Sequence, residues 1–442
     1  MWMGLDFAFV ITPDIPPSAP RDSLMFIMSR RAFLQMAAAA AVAPVRGFAQ
    51  GRDVTHAATL AQRRDATHSV TLDAAARAYR VHPGGNIQEA LEAAAKDPVN
   101  KIVYVHAGTY RPAAHGQALI WFNERHDGIT LEAVGEVVLT AANPAIADNK
   151  APSFPAVVTH VVYFGDGIST KTVLRGFRVT GAHNYTNGTG QHSPIESDGV
   201  PKTAFFYLDG GGIKIYARSY PTIERVEVVG NYTSPCGAGV SVEHLGRPLD
   251  AAVFRDCIFR DNRTQITGAA FDLLHGSRAT LDNCLFVGNV ANLGADYVGL
   301  LTGGEYHPEN GSGAMTVFEG SRAEVSRCTF TGNWAGVDDN GTGSTYLKSI
   351  FWNNTLKGGI STGPRYEIDI TSGAGVRESF IHGETNDLRG TIDRSVNTFD
   401  PPDPRFDAQF VPQAAEYAAV GYRPPHRAAA PAASLVTAVR GR

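Results

Sequence analysis

Cysteine is scarce. Four in 442 residues are too few to staple a chain of this length, so stability has to come from a buried core. No spacing of Cys with His matches a structural zinc site. Basic runs are missing as well: charged residues make up 19% and the formal net charge is −4, which argues against a nucleic-acid partner. The apolar run Met36–Val45 is too short to span a membrane. What the chain has in quantity is glycine (46) and proline (25), so turns are frequent, while a hydrophobic fraction of 43% is ordinary for a globular protein. Length alone predicts two or three domains, unless the chain is a repeat architecture that grows along one axis.

The amino terminus carries the sharpest local motif. Ser29-Arg30-Arg31-Ala32-Phe33-Leu34 precedes Met36–Val45, and Gly47-Phe48-Ala49-Gln50 follows. This resembles a twin-arginine export signal: paired arginines, a modest apolar stretch, then small residues for cleavage near Ala49. The competing interpretation is a basic turn before an alanine-rich helix. Met28 would start a signal of ordinary length, leaving residues 1–27 outside it. Residues 1–49 hold four arginines and three aspartates, so without them 35 basic residues face 40 acidic ones, a net −5. The resemblance implies the twin-arginine machinery as a partner, folding before export, and a periplasmic or secreted destination.

Residues 50–78 are polar and alanine-rich without a period and read as a linker or lead-in. Tyr79-Arg80-Val81 reads as a short strand. Asn86 is placed to cap a helix Ile87–Ala95, with Glu89 completing a capping box and Ile87, Ala90, Leu91 and Ala94 on one face. The strand Ile102–Val105 and Gly108-Thr109-Tyr110 follow. Then the chain repeats itself. Asp256-Cys257-Ile258-Phe259-Arg260-Asp261-Asn262 returns as Asn283–Asn289, Arg327–Asn333 and Lys348–Asn354, with weaker copies at Arg225–Asn231, Gly176–Ala182 and Glu378–Glu384. From Asn231 to Asn354 the asparagines fall 31, 27, 44 and 21 residues apart, a solenoid period with insertions. A second strand recurs (Ile213–Tyr216, Val240–Glu243, Phe271–Leu274, Met315–Phe318, Val337–Asn340), and a third short stretch follows each, giving three strands per turn.

This pattern resembles the right-handed parallel β-helix repeat of the pectin-lyase-like superfamily over residues 79–385. The fold class it implies is all-β: a single β-helix over 79–399 with a short N-terminal capping helix, and a Pro/Ala-rich tail at 400–442. Phe259, Phe286, Phe330 and Phe351 are expected to stack inside, with Asn262, Asn289, Asn333 and Asn354 at a turn. Cys257, Cys284 and Cys328 should form an inward ladder of free thiols, because a rung spacing of about 4.8 Å is long for an unstrained disulfide.

If Ile213, Val240, Phe271, Met315 and Val337 point inward, their neighbours form outward columns. One is Lys214, Ser241, Asp272, Thr316 and Asp338; the next holds Tyr216 and Glu243, with His244 and His275 just beyond. Glu243 and Asp272 then lie on adjacent rungs and Asp272 and Asp338 two rungs apart, about 10 Å, a range that suits paired carboxylates. Two long insertions, 182–210 and 290–312, leave the stack at the same corner and carry His183, Asp198, Asp209, Asp296, Tyr297, Glu305 and His307. The candidate catalytic residues are Asp272, Glu243, Lys214, Asp338 and His275. Tyr216, Tyr297, Glu305, His307 and His183 are candidates for binding substrate.

The superfamily resemblance implies an enzyme acting on a polysaccharide or oligosaccharide. A lyase would use Lys214 or an arginine as base, with Ca²⁺ held by Asp272, Glu243 or Asp338; a glycoside hydrolase would use paired carboxyls. No active-site motif of either class is present. A non-catalytic β-helix module that binds glycans or proteins is the alternative.

Overall fold

The computed structural model describes residues 70–184, 208–233, 236–246, 248–274, 276–293, 311–355, 365–370, 373–383 and 388–425. Its cross-section follows from the repeated heptapeptide. Asp256, Asn283, Arg327 and Lys348, which open each copy, take left-handed backbone conformations (φ 56°, 53°, 52° and 50°). Asp261, Gly288, Gly332 and Asn353, one residue before each ladder asparagine, do the same (φ 56°, 70°, 62° and 61°). Each such residue swings the chain through a corner, and Asp, Asn and Gly enter that region at low cost. Between the two corners run the short strands Ile258–Arg260, Leu285–Val287, Thr329–Thr331 and Ile350–Trp352.

Repeating this unit builds a right-handed parallel β-helix with three strands per turn, as expected. A second leg includes Thr222–Glu224, Ala252–Arg255, Arg278–Asp282 and Arg322–Ser326, each paired in parallel with the next. The third leg is a nine-stranded parallel sheet running from Gly116–Phe122 through Val158–Phe164, Ile213–Tyr216, Val240–Glu243, Phe271–Leu273, Met315–Val317, Val337–Asp339 and Ile368–Asp369 to Leu388–Arg389.

The interior is stacked rung on rung. Phe259, Phe286, Phe330 and Phe351 lie face to face, with ring centroids 4.7, 4.6 and 5.1 Å apart. Cys257, Cys284 and Cys328 are buried free thiols on successive rungs. At the corner beyond them the asparagines form a continuous ladder. The side-chain amides of Asn231, Asn262, Asn289 and Asn333 each donate to the Oδ1 of the next ladder asparagine, at 3.1, 3.1, 2.9 and 2.8 Å. The same Oδ1 accepts the preceding asparagine's backbone N–H. Each amide also donates back to a strand carbonyl: Val179, Val228, Phe259 and Phe286 in turn. The ladder ends where Asn354 donates through both its nitrogens to the buried carboxylate of Glu367.

Both ends of the chain's described part finish the solenoid. Asn86 caps helix α1 (Ile87–Lys96) by accepting from the N–H groups of Gln88 and Glu89, and Ile87, Ala90, Leu91 and Ala94 are its buried residues. Glu89 meets the Asn86 side chain rather than its backbone, a variation on the expected capping box. Strand Val70–Asp73, within the stretch read as lead-in, pairs antiparallel with Ala78–Val81. At the other end residues 400–425 turn back along the outside. Tyr417 and Val420 pack on Ile350, Gly421 donates to the Lys348 carbonyl, and Asn283 brackets the backbone of Arg423 through both its side-chain atoms. Among the described residues no helix is long and apolar enough to cross a membrane.

At the corner after the nine-stranded sheet, His244 is buried with both ring nitrogens bonded. Nε2 donates to the Ser219 carbonyl at 2.9 Å and Nδ1 accepts the Arg278 N–H at 3.2 Å, the neutral tautomer that this network assigns. It is a satisfied turn histidine. Burial, joined by the nearby Arg278 charge and opposed by the Ser219 bond, lowers its pKa to about 4.

Two predictions follow from the ladder and the corner. Asn289→Ala removes the acceptor of the Asn262 N–H and of one Asn262 amide hydrogen, and a donor to the Phe259 carbonyl, so urea unfolding should report a loss of about 3–5 kcal/mol, each buried orphan costing about 1–3. His244 has a depressed folded pKa, so its contribution is complete above the unfolded value near 6.5 and is lost as pH falls toward about 4. A fall from 6.5 to about 4 corresponds to about 3 kcal/mol, so denaturation curves at pH 7 and pH 4.5 should separate, and His244→Gln should narrow that separation. Equal separation in both proteins refutes the assignment.

Candidate functional site

The outward column of the nine-stranded sheet follows the register read from the sequence. Lys214, Ser241, Asp272, Thr316 and Asp338 pair in sequence across successive strands. The column is longer than expected: Trp121 and Tyr163 precede Lys214, and Asp369 and Arg389 follow Asp338.

The expectation that this column forms an open face is wrong. Lys214, Asp272 and Asp338 point away from the core, yet they are only 0–2% exposed. The segments entering each strand fold back over the sheet and cover it. Gly237 (φ 55°) and Gly268 (φ 62°) lie directly on Asp272: a Cβ at either would sit 3.0 Å from the Asp272 Cβ. Gly210 (φ 77°) covers Lys214 in the same way. Each of these glycines stands four residues before the column residue on its own strand: Lys214, Ser241 and Asp272. They are glycines because the return needs both a left-handed backbone and contact with the side chain below.

Beneath this cover the charges are unbalanced. The Lys214 ammonium donates to Glu243 Oε2 at 3.0 Å and to Ser241 Oγ at 3.2 Å. Asp209, two residues past the first insertion's undescribed part, is fully buried; its Oδ1 accepts the Cys236 N–H at 3.0 Å and its Oδ2 has no hydrogen-bond partner. Neither carboxylate oxygen of Asp272 has one. Donor atoms of Asp209, Cys236 and Asp272 lie within 4.8 Å of one another. Three carboxyls and a thiol therefore face one ammonium.

The electrostatic consequences are large. Burial pushes the Asp209 carboxyl well up, against the pull of Lys214. Burial and the neighbouring Asp209 do the same to Asp272. Burial and both aspartates raise the Cys236 thiol. Burial opposes the charge on Lys214, but Glu243, Asp209 and Asp272 outweigh it and raise its pKa, so the side chain is an ammonium and not a resting base. His160 holds the cover in place: its Nδ1 bonds the Gly210 carbonyl at 3.0 Å, and burial lowers its pKa to about 3.

The remaining candidates are distributed differently. Asp338 accepts the Gly311 N–H at 2.9 Å and the Asn340 amide at 3.1 Å, at the point where the second insertion rejoins the stack. Tyr216 is half-buried on the strand of Lys214, and burial followed by the Glu243 charge raises its pKa. His183 lies in a separate three-stranded sheet, held edge-on to Tyr232 and bonded to the Phe154 carbonyl. His275, Tyr297, Glu305 and His307 lie outside the described residues. In the sequence Asp209 is only a residue of an insertion, Cys236 a lone loop cysteine and His160 unremarkable; the glycine four residues before Lys214, Ser241 and Asp272 was the available sign of the cover.

Calcium does not fit the donors expected for it. Glu243 is engaged by Lys214, and the free oxygens of Asp272 face a carboxylate and a thiol. A hard cation that takes six to eight oxygens is not served by that set.

Among the described residues the ammonium is the neutralising charge of this group, so its removal should be costly. Lys214→Met leaves Glu243, Asp209 and Asp272 uncompensated, and urea unfolding at pH 7 should show a loss of about 3–5 kcal/mol. The same change at exposed Lys171 should leave the midpoint unmoved.

No protein-family profile matches the sequence. No curated protein matches it either. Among solved structures, the chain is similar to pectate lyase Pel9A, at 15% identity and a TM-score of 0.37 over 69% of this chain and 72% of that one. It is also similar to the Escherichia coli protein YbhC, at 12% identity and a TM-score of 0.32 over 78% and 82% of the respective chains.

Proposed function

We propose that the protein is an exported enzyme that hydrolyses a polysaccharide, with Asp272 and Asp209 as its reacting carboxyls. The observation that carries this reading is their geometry: two buried carboxyls with unfilled oxygens, within 4.8 Å, beside the Lys214–Glu243 ion pair and where the two insertions rejoin the solenoid. A separation that short matches the retaining arrangement, in which carboxyl groups about 5–5.5 Å apart serve as proton donor and nucleophile. One carboxylic acid gives its proton to the glycosidic oxygen as the other attacks the anomeric carbon. Water then releases the sugar and restores the proton, so one bond is cleaved and one water consumed. Lys214 fixes Glu243 and supplies positive charge beside the carboxylate that forms.

Hydrolysis is favoured over elimination because the lysine and the arginines considered as bases are engaged among the described residues. Lys214 is held as an ammonium. On the outer faces of the neighbouring legs, Arg175 and Arg255 pair with Glu224, and Arg178 and Arg260 with Glu227. The cover over Asp272 means that the turns at Gly237 and Gly268 shift before a glycan reaches it. Export rests on the Arg30-Arg31 motif and the apolar run behind it.

The complete burial of Asp272 favours one other reading, a non-catalytic glycan- or protein-binding module in which the cluster is purely structural. A screen of the purified chain against neutral and uronate-containing polysaccharides separates the two. New reducing ends without ultraviolet-absorbing unsaturated products are expected. Asp272→Asn should lower turnover by at least about 10²-fold while leaving glycan affinity in place. Unsaturated products would replace hydrolysis with elimination, and binding without any product would establish the module.

A further inference from the structure

The Asp209–Cys236–Asp272 pocket has a donor set that the hydrolytic reading leaves partly unused. A thiol has no part in glycoside hydrolysis, yet Cys236 is buried with its donor atom within 4.8 Å of both carboxyls. Asp272 is fully buried with both carboxylate oxygens unpartnered, and Asp209 Oδ2 is unpartnered as well. Buried polar atoms are normally satisfied, and leaving three orphaned in one place is costly. With all three groups ionised the pocket carries three negative charges, against the single Lys214 ammonium that it shares with Glu243.

We infer that this pocket is a binding site for a thiophilic divalent cation of the zinc class. One thiolate and two carboxylates are a borderline-soft set that suits Zn²⁺ or Co²⁺ and disfavours Ca²⁺ and Mg²⁺, which take oxygen alone. Ligand atoms around a tetrahedral zinc stand roughly 3.3–3.7 Å apart, so the three side chains draw in by about an ångström on loading. Three protein donors leave one position to water.

The backbone prepares two of the three ligands. The Cys236 N–H holds Asp209 Oδ1 and leaves Oδ2 without a hydrogen-bond partner, while Gly237, directly after Cys236, lies against Asp272. The thiol and the two carboxyls are thus brought together by one turn. Loading exchanges protons for the ion, in keeping with ligands that must be deprotonated to bind. An ion seated there occupies the oxygens of Asp272, so zinc and proton donation to a glycan exclude each other.

The test uses the full chain, reduced and stripped of metal by chelator, titrated with Zn²⁺, Co²⁺ or Ca²⁺. One Zn²⁺ per chain is expected, with Ca²⁺ at least 100-fold weaker. The Co²⁺ form should show a near-ultraviolet thiolate-to-metal charge-transfer band, absent in Cys236→Ser and retained in Cys257→Ser. X-ray absorption of the zinc-loaded wild-type chain should find one sulfur at about 2.3 Å, which keeps the test independent of how any variant folds. No Zn²⁺ uptake by the folded chain, an oxygen-only shell, a band that survives Cys236→Ser, or Ca²⁺ binding as tight as Zn²⁺ overturns the inference. None of these readouts involves activity, so a chain that binds zinc and cleaves nothing refutes only the hydrolytic reading.

Discussion

A parallel β-helix has to turn the chain three times per rung without leaving buried backbone groups unpaired, and here one corner does this with asparagine. An amide offers two donors and an acceptor in one plane, which is what a corner needs when its own N–H and a neighbour's carbonyl both lack partners. From Asn231 to Asn354 the ladder satisfies each rung through the next, and its direction is fixed: amides donate toward the carboxy-terminal end. Glu367 closes it because a carboxylate accepts twice and donates nothing. The strands that carry the site leave this corner, so their register is set by it.

The corner that opens each copy, at the other end of the short strand, carries strain. Arg327 and Lys348 adopt left-handed conformations that ordinary side chains avoid, at a cost of about 1–2 kcal/mol each. They persist because the hydrogen bonds and stacked rings of the adjoining rungs over-determine the corner. The site uses the same device for another purpose. Gly210, Gly237 and Gly268 turn the chain back over its own sheet and thereby convert an outward face into an interior. Burial beneath that cover pushes the Asp209 and Asp272 carboxyls well up, against the pull of the Lys214 ammonium.

Much of the solenoid was legible because repetition exposes it. Identical residues recur wherever rungs present identical environments, so Phe259, Phe286 and Phe330, or Asn262, Asn289 and Asn333, announce stacking before any geometry is known. The register from Lys214 to Ser241 to Asp272 follows from the same alignment. The cover did not, because a glycine opening a strand reads as an ordinary turn, and only the left-handed return at Gly237 shows what lies beneath it. Cys236 and Asp209 were obscured for a related reason. They belong to irregular segments whose lengths vary from rung to rung and which differ in residue type there, so only their shared place before Gly210 and Gly237 points to them.

The return of residues 400–425 changes what kind of solenoid this is. In a stack held only by adjacent rungs, each layer can detach with little effect on layers further away. Here Asn283 is bonded to Arg423 across 140 positions, Tyr422 to Thr329 and Gly421 to Lys348, so one strap is fastened to three successive rungs. Those rungs cannot peel off singly without releasing it. The three strapped rungs are thereby tied into one unit, which is complete only once Arg423 has docked on Asn283.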